Sequence, residues 1–147
     1  CTLLSEVELF NDFDRHEIES LSNYVQAYSA QPGCVVFEEG GAGNYMCVLL
    51  SGRVEVYKDN GTNPGVVVST ETRGRTIGEM ALIDGERRSA TCIVTEAATL
   101  ALLTKDNFAR ITTERPAIAV KLLLKLSRLL SRRLRVVSGR LVDYLEA

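Results

Sequence analysis

Between residues 77 and 91 the chain reads Ile77-Gly78-Glu79-Met80-Ala81-Leu82-Ile83-Asp84-Gly85-Glu86-Arg87-Arg88-Ser89-Ala90-Thr91. Three kinds of group in this run suit one piece of chemistry. Gly78 and Glu79 open a short apolar stretch, Met80 to Ile83, long enough for one or two helical turns. The first backbone N–H groups of a helix have no partner within it and point toward an anion. Arg88 offers a planar fork of donors that fits a phosphate or carboxylate at two points. Glu79, when ionised, accepts hydrogen bonds and donates none, so it suits a hydroxyl rather than the anion itself. The combination predicts a cradle for a small anion that also bears a hydroxyl. Asp84-Gly85-Glu86 predicts a tight turn between the two halves, and Ser89 to Val94 a β-run.

The elements that must hold this run are mostly strands. Strand character is read at Val25 to Ala30, Cys34 to Phe37, Tyr45 to Leu50, Arg53 to Tyr57, Val66 to Thr70, Ser89 to Thr95 and Ala98 to Leu103. Turn chemistry separates them at Gln31-Pro32-Gly33, across the loop Glu38 to Asn44, at Ser51-Gly52 and at Asp59 to Gly65. Strands this short and this regularly spaced predict a sandwich or closed roll rather than βαβ units.

Helices flank the strands. Leu3 to Phe10 predicts a short helix or irregular turn. Asp14 with Glu17 has capping-box spacing, and Ile18, Leu21 and Val25 follow at helical intervals, so a first helix runs from about Arg15 to Tyr24. Thr104 is an N-cap with Phe108 and Ile111 facing inward, and Pro116 suits the first turn of a further, long helix. In that helix Ala119, Leu123, Leu126, Leu130, Leu134, Val137, Leu141 and Tyr144 form a heptad-like seam with one stutter. Lys121, Lys125, Arg128, Arg132 and Arg135 form a separate basic stripe, read as a solvated face. Gly139 is expected to weaken or end the helix, at a cost of about 1 kcal/mol relative to Ala. Leu122, Leu124 and Leu129 fall outside the seam. The helix therefore has apolar surface for two contacts, one with the strands and one with a second copy.

Gly78-Glu79-Met80-Ala81-Leu82 followed by Arg88-Ser89-Ala90-Thr91 resembles the phosphate-binding cassette of cyclic-nucleotide-binding domains. These are the sensor modules of the bacterial catabolite activator, of cyclic-nucleotide-dependent kinase regulatory subunits and of cyclic-nucleotide-gated channels. Pro32-Gly33, Gly40, Gly43 and Ser51-Gly52-Arg53-Val54-Glu55-Val56-Tyr57 resemble the glycine-punctuated turns of the same family. Ile77 departs from it, since Phe is more frequent there.

The resemblance implies a mainly β fold with flanking helices. This is an antiparallel double-stranded β-helix, a jelly-roll-like β-roll, with an N-terminal helix and a long C-terminal helix. One domain, 1–147, is expected, with helical residues 1–24, a β-roll over 25–103 containing the cassette 77–91, and C-terminal helices over 104–147. It also implies roles. Glu79 would accept from the ribose 2′-hydroxyl and Arg88 would pair with the cyclic phosphate. The backbone around Gly78, Met80 and Ala81, together with Ser89 and Ala90, would hold the phosphate oxygens. Arg87 is expected to face solvent. The last helix would close over the purine, with Leu123, Ser127 and Leu130 as candidates, and would form a homodimer interface. The ligand would be cAMP in preference to cGMP, since the Ser89 hydroxyl is compatible with both. The competing reading keeps the fold without nucleotide, with Arg88 paired to Glu79 or Glu86.

Composition agrees with a globular domain: 147 residues, 46% hydrophobic and 24% charged. The net charge of −2 conceals 16 acids and 9 bases in residues 1–110 against 3 acids and 8 bases in 111–147. No nucleic-acid contact is expected from that basic segment, because no aromatic or base-reading element is interleaved and no helix-turn-helix follows the long helix. No apolar run is long enough to span a membrane and no signal peptide is visible, so a cytoplasmic setting is expected. Cys1, Cys34, Cys47 and Cys92 lack metal-ligand spacing, and no metal or cofactor is expected. His16 reads as a surface residue. No nucleophile–base pair or Walker-type loop is present, so no catalysis is expected. Residue 1 is Cys rather than Met, which reads as a trimmed or partial chain.

Overall fold

A computed structural model of the protein describes residues 8–58 and 66–146, with side chains over 9–139 outside that gap. A 3₁₀ turn, Glu8–Phe10, precedes α1 (Arg15–Ser22), β1 (Gln26–Ala30), β2 (Val35–Phe37), β3 (Tyr45–Lys58), β4 (Val66–Thr72) and β5 (Thr76–Ile77). The short helix α2 (Glu79–Asp84), β6 (Thr91–Thr104), α3 (Lys105–Glu114) and α4 (Pro116–Glu146) complete the order. The expectations for residues 3–7, for the turn at 59–65, and for the side chains of Leu141 and Tyr144 lie outside the described residues.

All pairings are antiparallel, in the order β1-β6-β3-β4, with β2 added to β6 and β5 to β3. The architecture is the expected mainly antiparallel β-roll flanked by helices. Its spine is the β3–β6 pair, each strand 14 residues long. Here the sequence reading needs correction, since Ser51-Gly52 does not end a strand and Thr95 to Ala98 does not separate two.

At Gly52 the chain bends without leaving the sheet. Its φ is +89°, and a Cβ there would sit 2.4 Å from the Ala97 carbonyl oxygen. Glycine is what lets β3 pass so close to β6. Register shifts between Leu49 and Val54 absorb the bend. They also change which residues of β3 face inward. Cys47 and Leu49 point into the roll before the bend, and Val54 and Val56 after it. Turn-forming residues inside a bulged strand read in sequence as a turn.

Two apolar clusters meet across this spine. Inside the roll lie Cys47, Leu49, Val54, Ile77, Cys92, Val94 and Leu100. On the other face Met46, Val48, Leu50, Ala101 and Leu103 pack against Leu21, Ile111, Leu122 and Leu126 of the helices. Met46 to Leu50 is therefore apolar without alternation, because both faces are covered. Beyond Gly52 Val54 alone is fully buried, and Glu55, Val56 and Tyr57 are each partly exposed.

The helices form where their caps direct. The Asp14 carboxylate accepts from the Glu17 N–H at 2.8 Å while Glu17 accepts from the Asp14 N–H at 3.0 Å, completing the capping box of α1. The Thr104 hydroxyl accepts from the Asn107 N–H at 3.1 Å at the head of α3. α4 runs unbroken through Gly139, contrary to expectation; a Cβ there would meet open space, so only intrinsic propensity opposes the helix. Its core-facing residues are Ile118, Ala119, Leu122 and Leu126, whereas Leu123, assigned to the seam, is exposed. The start of the basic stripe is not merely solvated. Lys121 donates to Glu17 at 2.8 Å and to the Asp12 carbonyl at 2.9 Å, and Lys125 pairs with the Asp12 carboxylate at 2.5 Å. The hydrogen bond and charge of Lys125 hold the Asp12 carboxyl below its ordinary range. No helix among the described residues is long and apolar enough to cross a membrane.

Candidate functional site

The run from Ile77 to Thr91 folds as β5, the helix α2, a turn at Gly85, and an extended return into β6. Gly78 caps α2 in the left-handed region at φ +78°. A Cβ on it would lie 2.2 Å from Arg88 Nη1. Both the backbone angle and the space demand glycine. Glu79 and Ala81 then turn inward, and Met80 and Ile83 stay exposed.

Arg88 is 4% exposed. Its guanidinium lies between the rings of Phe37 and Tyr45, 4.2 and 4.7 Å from their centroids. Nη1 donates to the Gly78 carbonyl at 3.1 Å and Nη2 to the Tyr45 carbonyl. Nε is buried and has no hydrogen-bond partner among the described residues. Burial pushes the guanidinium below its ordinary value, opposed by Tyr45 and the two buried thiols. Arg88 makes no ion pair with Glu79, Glu86 or any other carboxylate among the described residues.

The loop between β2 and β3 clamps the backbone of this arginine. The Arg88 N–H donates to the Gly41 carbonyl at 2.9 Å, and the Gly40 N–H donates back to the Arg88 carbonyl at 2.8 Å. Arg87 is exposed, as expected, and donates from Nη1 to the Gly40 carbonyl at 2.9 Å. Ser89 is exposed and its carbonyl accepts from Lys58 Nζ at 2.9 Å, while Ala90 is half-buried at the entry to β6.

Glu79, also 4% exposed, is paired with Arg133 of α4. Arg133 reaches the Thr76 carbonyl at 3.5 Å as well, and the Thr76 hydroxyl is buried without a partner among the described residues. The sequence reading missed Arg133, which lies in neither the apolar seam nor the basic stripe. A signal existed: residue 133 is seven positions beyond Leu126, on the same face of the helix. An arginine on the core-facing stripe of an amphipathic helix needs a buried acceptor.

The structure thus sets Gly78 against Arg88, buries Glu79 against Arg133, and buries Ala81 beside Gly43. Met80 and Ser89 are exposed, and Ala90 is half-buried. Leu123 and Ser127 are exposed on α4, and Arg133 of that helix bonds to the cassette at Glu79.

Comparison with known proteins agrees with this geometry. Residues 28–115 match the family model described as the cyclic nucleotide-binding domain. A cAMP-dependent protein kinase regulatory subunit of Schizosaccharomyces pombe is 34% identical over 110 residues, covering 75% of this chain and 26% of that protein. The chain spans about a quarter of the length of the kinase regulatory subunits it matches. Among solved structures, a cyclic nucleotide-binding domain from Methylobacillus flagellatus superposes with a TM-score of 0.85 at 32% identity, over 97% of this chain and 80% of that one. The catabolite activator protein of Thermus thermophilus superposes with a TM-score of 0.81 at 25% identity, over 94% of this chain and 62% of that one. The matched span holds the roll, the loop that clamps Arg88 and the whole cassette, so the chain belongs to the cyclic nucleotide-binding domain family.

Proposed function

We propose that the chain senses a purine cyclic mononucleotide, cAMP in preference to cGMP, and relays its arrival through α4. One observation carries this reading: the Arg88 guanidinium is buried with no carboxylate beside it among the described residues, and its Nε lacks an acceptor. A buried cation without a counter-charge is costly even when carbonyls and rings surround it, and an anion that pairs with it recovers part of that cost. A cyclic phosphate is an anion of the right size for one arginine and the N–H groups from Gly78 to Ala81. Glu79 then receives the ribose 2′-hydroxyl, and Met80, Ser89 and Ala90 complete the rim. The names of the kinase regulatory subunit and of a 26% identical cyclic AMP receptor protein support the preference for cAMP.

The relay follows from who holds Glu79. The ribose hydroxyl and Arg133 compete for one carboxylate, so ligand releases α4 from the cassette. Leu123 and Ser127 meet the base only if α4 then repositions. The exposed apolar side chains of α4, among them Leu134, Val136 and Val137, supply a homodimer face in this reading. A cytoplasmic regulatory role goes with it, and the output belongs to a partner chain or further domain.

The test is thermal melting of the chain with cAMP, cGMP and 5′-AMP. A ligand that binds only the folded state raises the midpoint. The expected result is a rise with cAMP, a smaller rise with cGMP and none with 5′-AMP. The engagement of Glu79 by Arg133 favours one alternative, an interaction module of the same fold without nucleotide, and no shift with any of the three would establish it over the sensor.

A further inference from the structure

Phe37 closes β2 and Tyr45 opens β3. The loop between them holds the backbone of Arg88, and the residues at its two ends hold the side chain. Phe37 is registered with Cys92 and Tyr45 with Thr104, near opposite ends of β6. The roll must therefore curl before both rings can reach one guanidinium, and they do, with centroids 4.2 and 4.7 Å from its central carbon. The Tyr45 hydroxyl donates to the Val36 carbonyl, which ties the two ends of the loop together. Phe37 also backs the cassette turn, since its Cε2 lies 3.4 Å from where a Cβ on Gly78 would sit.

This grip is neutral throughout. Two rings and the carbonyls of Gly78 and Tyr45 hold the cation, and Nε is left without an acceptor. A carboxylate in their place would also position Arg88, but a phosphate would then have to break an ion pair before making its own. A ring face attracts a guanidinium through its quadrupole and leaves the charge uncancelled. Arginine suits such a seat better than lysine, because a planar, weakly hydrated cation stacks on aromatic faces. Glu79 shows the opposite arrangement, with Arg133 already paired to it.

We propose, on the footing of the sensor reading above, that Phe37 and Tyr45 are positioning residues for the nucleotide phosphate: they fix the Arg88 guanidinium, charged and without a counter-ion, before the ligand arrives. They act through Arg88. Removing either ring loosens the arginine and takes no donor away from the phosphate.

The test is calorimetric titration of the full chain with cAMP, beside proton–nitrogen correlation spectra of the arginine side chains. Tyr45→Leu and Phe37→Leu are each expected to weaken cAMP binding by about five-fold or more. Tyr45→Phe keeps the ring, loses only the hydroxyl bond to Val36, and is expected to bind as the unaltered chain does. In the ligand-free chain the Arg88 Nε–H proton, identified by its loss in Arg88→Leu, is expected upfield of the other arginines, because it lies beside two ring faces. In Tyr45→Leu it is expected to return toward them. If a leucine variant does not fold, the position of this signal in the unaltered chain decides. Three results overturn the proposal and leave the sensor reading in place: undiminished cAMP binding by both leucine variants, a loss in Tyr45→Phe as large as in Tyr45→Leu, or an Arg88 proton among those of the other arginines. Absence of cAMP binding by the unaltered chain overturns both.

Discussion

Replacing Arg133 with Met tests the link between cassette and helix, because it keeps the apolar stem and removes the charge. The Glu79 side chain is 5% exposed and that of Arg133 33%. Removing one partner of a fully buried pair costs about 3–5 kcal/mol, while exposed pairs contribute about 0.2–1 kcal/mol. With one partner a third exposed, solvent screening brings the expected loss to about 2 kcal/mol. For a chain of this length that lowers the melting midpoint by about 4–8 °C. Nucleotide affinity is expected to move the other way. If Arg133 and the ribose hydroxyl compete for Glu79, removing Arg133 raises the population competent to bind, by up to about ten-fold in Kd. Calorimetric titration with cAMP reads the affinity, and Glu79→Gln completes a double-mutant cycle that isolates the pair. A lower midpoint together with weaker binding would refute competition and make Arg133 a ligand contact. An unchanged midpoint would refute the ion pair itself.

Arg88→Leu is expected to weaken cAMP binding by about 3 kcal/mol or more, since the buried phosphate loses its charged partner; undiminished affinity by calorimetry would remove Arg88 from the site. Gly78→Ala forces a side chain into the left-handed region and against Arg88, so a loss of about 2 kcal/mol in chemical denaturation and weaker binding are both expected. The dimer face is tested by Leu134→Glu with Val137→Glu, both exposed. Light scattering is expected to give a monomer mass, and a dimer mass after substitution would exclude the face. Burial pushes the Cys47 and Cys92 thiols up to about 12 from an ordinary value of 9.0. Their folded pKa is raised, so stability is intact below pH 9 and is lost as pH rises from there toward 12. The expected slope is up to about 1.4 kcal/mol per pH unit per thiol, and a flat denaturation profile over that range would contradict the burial.

Legibility in the sequence tracked how local the physics was. The capping box at Asp14 and Glu17, the Thr104 cap and the entry at Pro116 each depend on residues within one turn, and each formed as read. Glu79 and Arg88 were identifiable as a pair of chemical groups because a short helix and a turn separate them. The failures were non-local. Ser51-Gly52 has turn composition, and only the approach of Ala97 makes it a bend within a strand. Leu123 and Leu122 are equivalent in a seam drawn on one helix, and the sheet decides that Leu122 is buried. For the same reason Leu126, a member of that seam, is a core residue. Arg133 acquires a role only through a carboxylate 54 positions earlier.

The β3–β6 spine is a partition one strand thick. On one side Cys47 and Leu49 belong to the roll that holds the cassette; on the other Met46, Val48 and Leu50 belong to the helical layer. No intermediate shell cushions one compartment from the other, and close-packed neighbours on both sides leave little slack for either to relax alone. Were the roll to tighten around a ligand, a strand that bowed by a fraction of an ångström would press at once on Leu122 and Leu126. In the proposed relay the halves would therefore be joined by two routes, a polar one through Arg133 and a steric one through the wall itself, and severing the first would leave the second in place.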